Sequence, residues 1–465
     1  MRLMGEIPYD LVVIGSGPAG QKAAVCAAKL RKRVAVIDRP RMIGGVSVHA
    51  GTIPSKTLRE AILHLTGFTE RTFYGRDYSL KDKISVQDLA FRVTGLVERE
   101  TQIIRAQLKR NEISIFEGTA RFRDPHTLDV EGPTGPYTLS GEHILIACGT
   151  RPAHGPGIPF DGKRVIDTNQ LHQIDRVPRT AIIVGAGVIG LEFASFLAAL
   201  GAKVTLIDQR STILEFVDQE IVQALSYHLR ALGMTFRLGE KVTSVGIEPE
   251  RDRVFAELES GKRVQGDTLL YAAGRQANGD LLNLAAAGLE ADGRGRVKVN
   301  QSFQTIVPNI YAAGDVIGFP ALASTSMEQG RLAGCFMFGV PASQIPELFP
   351  YGIYTIPEIS MVGQTEEMLT AAKIPYEVGV AKYAELAKSL MIGDEDGMLK
   401  LLFERKTLKL LGVHVIGERA TEIIHIGQAV ICFGGTIEYF RDAVFNYPTL
   451  AEAYKVAALD GLNKL

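Results

Sequence analysis

The chain has 465 residues with 51 basic and 52 acidic side chains, and its residues are 46% hydrophobic and 22% charged. At roughly 100 to 200 residues per domain this length predicts several domains, and the composition excludes general disorder. A formal net charge of −1 gives no broad positive surface for phosphate backbones, so nucleic acid is not an expected partner. Four cysteines without a C-x-x-C pair argue against a zinc site or a disulfide framework, and predict a protein of the reducing cytoplasm.

The sequence predicts neither a membrane nor a metal partner. Its first ten residues lack the apolar centre of a signal peptide, and no uncharged apolar stretch reaches membrane-spanning length. His49, His414 and His425 are not spaced like the ligands of a zinc motif, so we expect structural roles for them.

The first glycine-rich stretch is residues 11–20 (LVVIGSGPAG), followed by a run of small residues and by residues 34–38 (VAVID). This order predicts a strand, a tight turn, a helix and a second strand. Gly15 makes the tight turn, Gly17 lets the backbone approach a pyrophosphate at the helix N-terminus, and Gly20 allows close helix packing. Asp38, at the end of the second strand, can accept a hydrogen bond from a ribose hydroxyl.

A second copy of this pattern lies at residues 181–190 (AIIVGAGVIG) and 204–208 (VTLID). Gly185, Gly187 and Gly190 repeat the three glycines, and Asp208 repeats the acid at the same spacing. One such motif is a weak signal, but two copies with matched spacing predict two βαβ dinucleotide-binding units.

Further strands end in small residues and glycine, in residues 144–149 (ILIACG), 269–274 (LLYAAG) and 308–315 (PNIYAAGD). The last of these delivers Asp315 to a strand end, where open α/β sheets bind ligands, and Gly274 suits a backbone crossing beside a dinucleotide. Past residue 346 the glycine motifs stop. We therefore expect a first nucleotide domain at residues 1–150 and 275–345, a second at 151–274, and an α+β domain at 346–465.

Residues 44–56 (GGVSVHAGTIPSK) lead to a known family. Nearly the whole chain resembles the two-dinucleotide flavoproteins of the glutathione reductase and dihydrolipoamide dehydrogenase family, which read G-G-x-C-x-x-x-G-C-I-P-S-K at this point. The resemblance implies an α/β fold with two Rossmann-like domains, one for non-covalent FAD and one for NAD(P), plus a C-terminal α+β interface domain. It also implies a homodimer or a larger homo-oligomer.

The same resemblance implies roles for individual residues. Lys56 is expected to pair with Glu192 beside the flavin, and this pair is the expected catalytic apparatus. Asp315 is expected on the ribityl chain of FAD, Ala120 near its adenine and Ala323 below its ring. The remaining expected contacts are Gly15, Gly17, Gly20 and Asp38 to FAD, and Gly185, Gly187, Gly190, Asp208, Arg210 and Gly274 to NAD(P).

Three positions depart from the family pattern. Ser47 and Thr52 stand where the family has its two redox-active cysteines, and a hydroxyl can form neither a thiolate nor a disulfide. Tyr447 replaces the histidine of the family's H-P-T-x-x-E stretch, and a phenol with a pKa of about 10 is a poor general base at neutral pH. We therefore expect no disulfide reductase activity.

A reduced flavin must then pass its electrons to another acceptor. Residues 52–56, 353–360 and 445–459 resemble those of family members that move hydride between NADPH and NAD⁺, so we expect this reaction by a ping-pong mechanism. NADPH, NADH and their oxidised forms are the expected substrates. An NAD(P)H:quinone reductase or diaphorase, and a non-catalytic flavin-binding component of a complex, are the alternatives.

Asp208 and Arg210 bear on the choice of coenzyme. An acid at the end of this strand accepts from the ribose hydroxyls of NAD, whereas an arginine can pair with the 2′-phosphate of NADP. Both residues are present, which predicts a site that admits both coenzymes. The alternative is that Arg210 points into water.

Overall fold

The computed structural model describes residues 8–75, 77–81, 83–170, 174, 176–344 and 348–465. The chain divides into two compact units. Unit 1 consists of the described residues of Met1–Leu58, Ala90–Ala153 and Gly274–Pro346, and unit 2 of those of Arg59–Leu89, His154–Ala273 and Glu347–Leu465. The domain boundary expected at residues 345 and 346 lies outside the described residues, as does the start of the first expected domain at residues 1–7.

The α-helices are α1 (Pro18–Lys29), α2 (Val46–His49), α3 (Thr52–Thr66), α4 (Arg71–Tyr74), α5 (Val86–Arg110), α6 (Val188–Ala199), α7 (Gln219–Ala231), α8 (Ala323–Met337), α9 (Glu366–Ala371), α10 (Ala387–Ile392), α11 (Ala420–Cys432), α12 (Glu438–Asp442) and α13 (Glu452–Leu462).

The strands are β1 (Pro8–Ile14), β2 (Val34–Asp38), β3 (Ser114–Glu117), β4 (Thr119–Asp124), β5 (Thr127–Gly132), β6 (Gly135–Ile146), β7 (Thr150–Pro152), β8 (Val165–Asp167), β9 (Thr180–Val184), β10 (Lys203–Asp208), β11 (Thr235–Leu238), β12 (Val242–Glu248), β13 (Arg253–Leu258), β14 (Arg263–Gly266), β15 (Thr268–Tyr271), β16 (Arg275–Ala277), β17 (Ile310–Ala312), β18 (Tyr351–Ile353), β19 (Ile359–Gly363), β20 (Tyr376–Lys382), β21 (Met398–Glu404) and β22 (Leu410–Ile416).

Unit 1 is built on a sheet of order β3-β2-β1-β6-β5-β4, with β17 paired to β6. Strands β1, β2, β3, β6 and β17 run parallel, and β4 and β5 extend the sheet as an antiparallel meander. Leu11 and Val13 of β1 pack into one apolar cluster, while Val12 and Ile14 pack into another. The sheet is therefore buried on both faces, which explains the continuous apolar runs of its central strands.

Unit 2 contains a parallel sheet of order β11-β10-β9-β15-β8 and a small antiparallel sheet, β12-β13-β14. Its C-terminal part forms an antiparallel sheet of order β18-β19-β22-β21-β20. Helix α11 packs against β19 and β22, and α13 packs against β20 and β21. An apolar cluster that includes Phe403, Phe440 and Tyr454 fills the space between helices and sheet.

The predicted α/β architecture, with two strand-turn-helix-strand repeats and a C-terminal α+β part, is confirmed. Helix α6 begins at Val188, directly after its N-cap Gly187. Within the described part of the chain, no helix combines the length and apolar character that crossing a membrane requires.

Candidate functional site

The turn between β1 and α1 in unit 1 has the geometry of a phosphate cradle. Gly15 has φ +105°, and a Cβ on it would lie 2.4 Å from the carbonyl oxygen of Ala147. A Cβ on Gly20 would lie 1.9 Å from the carbonyl oxygen of Gly15, so both positions require glycine. Gly17, the N-cap of α1, behaves differently, because a Cβ there would meet nothing within 4 Å. The open space at a helix N-terminus fits an approaching pyrophosphate.

Asp38 closes this turn from the end of β2. Its Oδ2 atom accepts two hydrogen bonds from Ser16, one from the backbone N–H at 2.7 Å and one from the side-chain hydroxyl at 2.5 Å. Its Oδ1 atom accepts from the N–H of Arg39 at 2.7 Å. Burial raises the pKa of Asp38 above its ordinary value, although the hydrogen bonds from Ser16 favour the charged form. Ser16, whose hydroxyl also accepts from the N–H of Gly44 at 2.9 Å, was not predicted as a site residue.

Asp315 follows β17 and begins a short 3₁₀ helix after Gly314, whose φ is +83°. The hydroxyls of Thr150 and Ser326 lie 3.4 Å from its two carboxylate oxygens. Asp315 is half-buried. Long contacts of this kind leave Asp315 able to accept from a hydroxyl of a bound ligand.

Ala323 is the first residue of α8, with Leu322 as the N-cap. Ala120 lies in β4, and its side chain is buried in an apolar cluster of unit 1. Gly274 lies in unit 1 with φ +132°, and its carbonyl oxygen accepts from the N–H of Ala153 at 3.0 Å. That bond lies beside the β7–β16 pair. The expected contact of Gly274 with a dinucleotide stays a prediction.

The turn between β9 and α6 in unit 2 repeats the first turn closely. Gly185 has φ +107°, and a Cβ on it would lie 2.6 Å from the carbonyl oxygen of Ala272. A Cβ on Gly190 would lie 1.9 Å from the carbonyl oxygen of Gly185, whereas one on Gly187, the N-cap of α6, would meet nothing within 4 Å. Unit 2 therefore carries a second open cradle of the same form.

Asp208 occupies the place of Asp38 in this second turn, but its partners differ. Its Oδ2 atom accepts from the backbone N–H of Ala186 at 2.6 Å. The guanidinium of Arg210 folds back onto both carboxylate oxygens, with Nε 3.0 Å from Oδ1 and Nη2 2.8 Å from Oδ2. Burial alone would raise the pKa of Asp208, but the hydrogen bonds from Arg210 and Ala186 outweigh it and lower the pKa. Arg210 thus neutralises the acid while its side chain stays 42% exposed.

A family model described as pyridine nucleotide-disulphide oxidoreductase matches residues 9–330, and the dimerisation domain of the same family matches residues 349–458. The chain belongs to the pyridine nucleotide-disulphide oxidoreductase family. The resemblance to the glutathione reductase and dihydrolipoamide dehydrogenase flavoproteins is thereby confirmed, and the protein is an oxidoreductase that uses a flavin and nicotinamide nucleotides.

Two relatives match this family member over nearly their whole length. The soluble pyridine nucleotide transhydrogenase of Mycobacterium tuberculosis (strain ATCC 25177 / H37Ra) is 54% identical over 459 residues, which cover 98% of each chain. A protein of the same name from Erwinia tasmaniensis is 47% identical over 462 residues, again 98% of each chain.

Solved structures agree with this assignment to the pyridine nucleotide-disulphide oxidoreductases. The HOCl-induced flavoprotein disulfide reductase RclA from Escherichia coli has a TM-score of 0.87 and 28% identity, covering 97% of this chain and 99% of that one. LpdA from Mycobacterium tuberculosis has a TM-score of 0.88 and 26% identity, with the same coverage.

The two cysteine positions of the family are filled by hydroxyl side chains. Ser47 lies in α2, and its Oγ donates to the carbonyl oxygen of Gly44 at 3.1 Å. Thr52 is the first residue of α3. The four cysteines of the chain, Cys26, Cys148, Cys335 and Cys432, lie at other positions and are free thiols.

Tyr447, at the family's histidine position, is 72% exposed. Glu452, the family glutamate, begins α13, and its buried Oε2 atom has no hydrogen-bond partner among the described residues.

Lys56 and Glu192 lie in different units, Lys56 half-buried in α3 and Glu192 buried in α6. Within unit 2, Oε1 of Glu192 accepts from the backbone N–H of Tyr354 at 2.9 Å. The predicted pairing of Lys56 with Glu192, and the roles of the other family positions, remain predictions.

An unpredicted charged cluster lies elsewhere in unit 2. Asp218, Glu220 and Glu366 bring three carboxylates together, in an arrangement that can hold a metal ion. Here the cation is an ammonium group: Nζ of the fully buried Lys400 lies 2.9 Å from Asp218 and from Glu220, and it also contacts Glu366. The ammonium group therefore lies among the carboxylates where a metal ion would bind, and it offsets one of their three negative charges.

Proposed function

We propose that the protein transfers hydride between NADPH and NAD⁺ with bound FAD as the intermediate carrier. The observation that carries this proposal is the retention of both open dinucleotide cradles in a chain with no sulfur at positions 47 and 52. Disulfide reduction needs a thiolate beside the flavin, whereas transfer between two nicotinamides does not. Relatives that share 54% and 47% of the sequence bear the name soluble pyridine nucleotide transhydrogenase, which supports the same reaction here.

Unit 1 is the proposed FAD site. Gly17 leaves room for the pyrophosphate at the N-terminus of α1, and Asp38 holds the turn through Ser16 while keeping lone pairs for a ribose hydroxyl. Bound FAD would store two electrons between the visits of the two coenzymes. The further proposed FAD contacts are Gly15, Gly20, Lys56, Ala120, Asp315 and Ala323.

Unit 2 is the proposed NAD(P) site, with Gly185, Gly187 and Gly190 in the cradle. Because Arg210 neutralises Asp208, a 2′-phosphate approaching this end of the site does not meet an unpaired negative charge. The exposed guanidinium has further N–H donors, so it can donate to the phosphate while it remains paired with Asp208. With NAD the carboxylate of Asp208 accepts from the ribose. A partner for either coenzyme supports the use of both by one site.

Lys56 and Glu192 are the proposed catalytic residues, on the strength of the family resemblance. The ammonium group of Lys56 would stabilise negative charge that develops on the flavin during its reduction. The carboxylate of Glu192 would balance the positive charge of Lys56. The homodimer, or a larger homo-oligomer, is proposed from the match of residues 349–458 to the dimerisation domain. The cytoplasmic location stays a prediction from cysteine content.

A double-coenzyme assay tests the proposal. Purified protein is mixed anaerobically with NADPH and thio-NAD⁺, and the absorbance of the reduced thio-coenzyme is followed. We expect turnover, whereas lipoamide and glutathione disulfide should give none above a flavin-free control. Reduction of a quinone without any transfer to thio-NAD⁺ would establish the quinone reductase alternative instead. Denaturation of the protein should release FAD, which tests the identity of the flavin.

A further inference from the structure

Two cysteines of unit 1 lie against each other although they are 309 positions apart in the sequence. Cys26 lies in α1 and Cys335 in α8, and their Sγ atoms are 3.6 Å apart. Both thiols are free. A disulfide bond is about 2.05 Å long, so the two sulfurs need to approach by only about 1.5 Å. Small rotations of the two side chains are sufficient for such a movement.

The two helices are packed closely enough for such a bond. A Cβ on Gly330 of α8 would lie 2.0 Å from the carbonyl oxygen of Ala19 in α1, so the two backbones touch there. One turn further along α8, a Cβ on Gly334 would lie 3.1 Å from the Cβ atom of Cys26. A disulfide needs two closely spaced backbones, and the small residues at this crossing let the two helices approach closely.

The surroundings make the two thiols unequal. The guanidinium of Arg331 places a positive charge beside Cys335, with Nη1 3.8 Å from its Sγ atom. Glu328 holds Arg331 in place, accepting from its Nε at 2.9 Å. Burial raises the pKa of Cys26 to about 11, and its contact with Cys335 adds to this shift. Cys335 is buried and Cys26 is partly exposed. Because the pKa of Cys26 is raised and the guanidinium lies beside Cys335, we assign the first reaction to Cys335 and the resolving role to Cys26.

We propose that Cys26 and Cys335 form a site of reversible oxidation, at which a peroxide closes a disulfide between α1 and α8. The thiolate of Cys335 attacks one oxygen of hydrogen peroxide, giving a sulfenic acid and releasing hydroxide, which takes up the proton of the thiol and becomes water. The sulfur of Cys26 then attacks the sulfenic sulfur; the S–S bond forms and a second water leaves. In sum, two thiols lose two electrons and two protons, and one peroxide becomes two waters.

This site differs from the redox centre of the family, which would have needed cysteines at positions 47 and 52. The proposed bond would fasten α1, the helix that follows the Gly17 cradle, to α8. Formation of this disulfide does not depend on which acceptor takes the hydride from the flavin. The oxidation of the two cysteines can therefore be tested separately from the transhydrogenation.

The test uses the full-length protein with its flavin. The protein is reduced, freed of reductant, exposed to hydrogen peroxide, blocked with N-ethylmaleimide and digested without reduction. Mass spectrometry should find a peptide that joins Cys26 to Cys335 and is lighter by two hydrogens than the two reduced peptides. The titre of free thiols in denaturant should fall from four to two and return to four with dithiothreitol.

Two variants serve as controls. Cys432→Ser removes the exposed thiol that can cross-link separate molecules, and it should leave the Cys26–Cys335 peptide unchanged. Cys26→Ser should abolish that peptide and leave Cys335 oxidised only as a sulfenic or higher acid. Four free thiols after peroxide treatment, or linkage through Cys432 or Cys148 alone, would overturn the proposal. Peptide mapping of the wild-type protein gives this answer even if Cys26→Ser does not fold.

Discussion

At the scale of single residues, the two aspartates that end β2 and β10 show how one motif acquires two electrostatic characters. Asp38 is held by neutral donors of Ser16, whereas Asp208 carries a guanidinium on both its oxygens. The burial of Asp38 raises its pKa, and Arg210 lowers that of Asp208. Under the proposed function, the second turn is therefore the one expected to receive either a hydroxyl or a phosphate.

Arg210→Ala should raise KM for NADPH by about 10- to 100-fold and change KM for NADH by less than about threefold. A charge-assisted hydrogen bond to the 2′-phosphate is worth a few kcal/mol, and the carboxylate of Asp208, left without its guanidinium partner, would then repel that phosphate. Steady-state kinetics with each donor and thio-NAD⁺ measure both constants. Arg253→Ala, an exposed arginine of β13, is the matched control.

Asp208→Asn is the complementary change, since asparagine keeps an acceptor for the N–H of Ala186 while removing the charge. It should weaken NADH binding and leave NADPH binding intact or improved. Equal losses for both coenzymes in Arg210→Ala would contradict the dual-use site.

Lys56→Met should lower kcat for hydride transfer by about 10- to 1000-fold with little change in KM, because an interaction that grows with developing charge acts in the transition state. Single-turnover mixing with NADPH, followed at the flavin absorbance, isolates this step. Lys29→Met, at the exposed end of α1, is the control. If Lys56 were only a surface charge, the rate would not change.

At the scale of elements, prediction from sequence succeeded where backbone geometry restricts the residue type. Gly15 and Gly185 need positive φ, and Gly20 and Gly190 have no room for a Cβ, so both turns could be read from spacing alone. The cluster around Lys400 could not, because its members come from the start of α7, the start of α9 and the middle of β21. Only the packing of these elements brings the four charges together.

Lys400→Met should lower the free energy of unfolding by about 3–5 kcal/mol at pH 8, because it leaves Asp218 buried without its cation. Asp218 has a lowered pKa in the native state, so its contribution is present above its unfolded pKa and is lost as pH falls. Without Lys400 the three carboxylates should instead take up protons at higher pH. The difference in the free energy of unfolding between Lys400→Met and the wild type should therefore shrink as the pH falls from 8 to 5.

Urea unfolding at several pH values measures this difference. Lys464→Met, which removes an exposed ion pair with Asp460, should cost less than about 1 kcal/mol at every pH. A Lys400→Met effect that is small, or independent of pH, would show that the cluster does not stabilise the fold.

At the scale of the whole molecule, the residues matched to the dimerisation domain carry large apolar side chains on the surface. Phe433 is 90% exposed and Val444 is 95% exposed. We expect this apolar surface to be buried against another copy of the chain. We expect the wild-type protein to have at least twice the mass of one 50.5 kDa chain.

The double variant Phe433→Asp with Val444→Asp should shift the protein to the mass of one chain, because two buried carboxylates at the contact would lose their hydration without gaining a partner. Light scattering after size-exclusion chromatography measures the mass. Ile306→Asp, which is equally apolar and 79% exposed but lies in unit 1, should leave the assembly intact. A wild-type chain that is monomeric at assay concentrations, or a double variant that keeps the wild-type mass, would show that these side chains do not form the dimer contact.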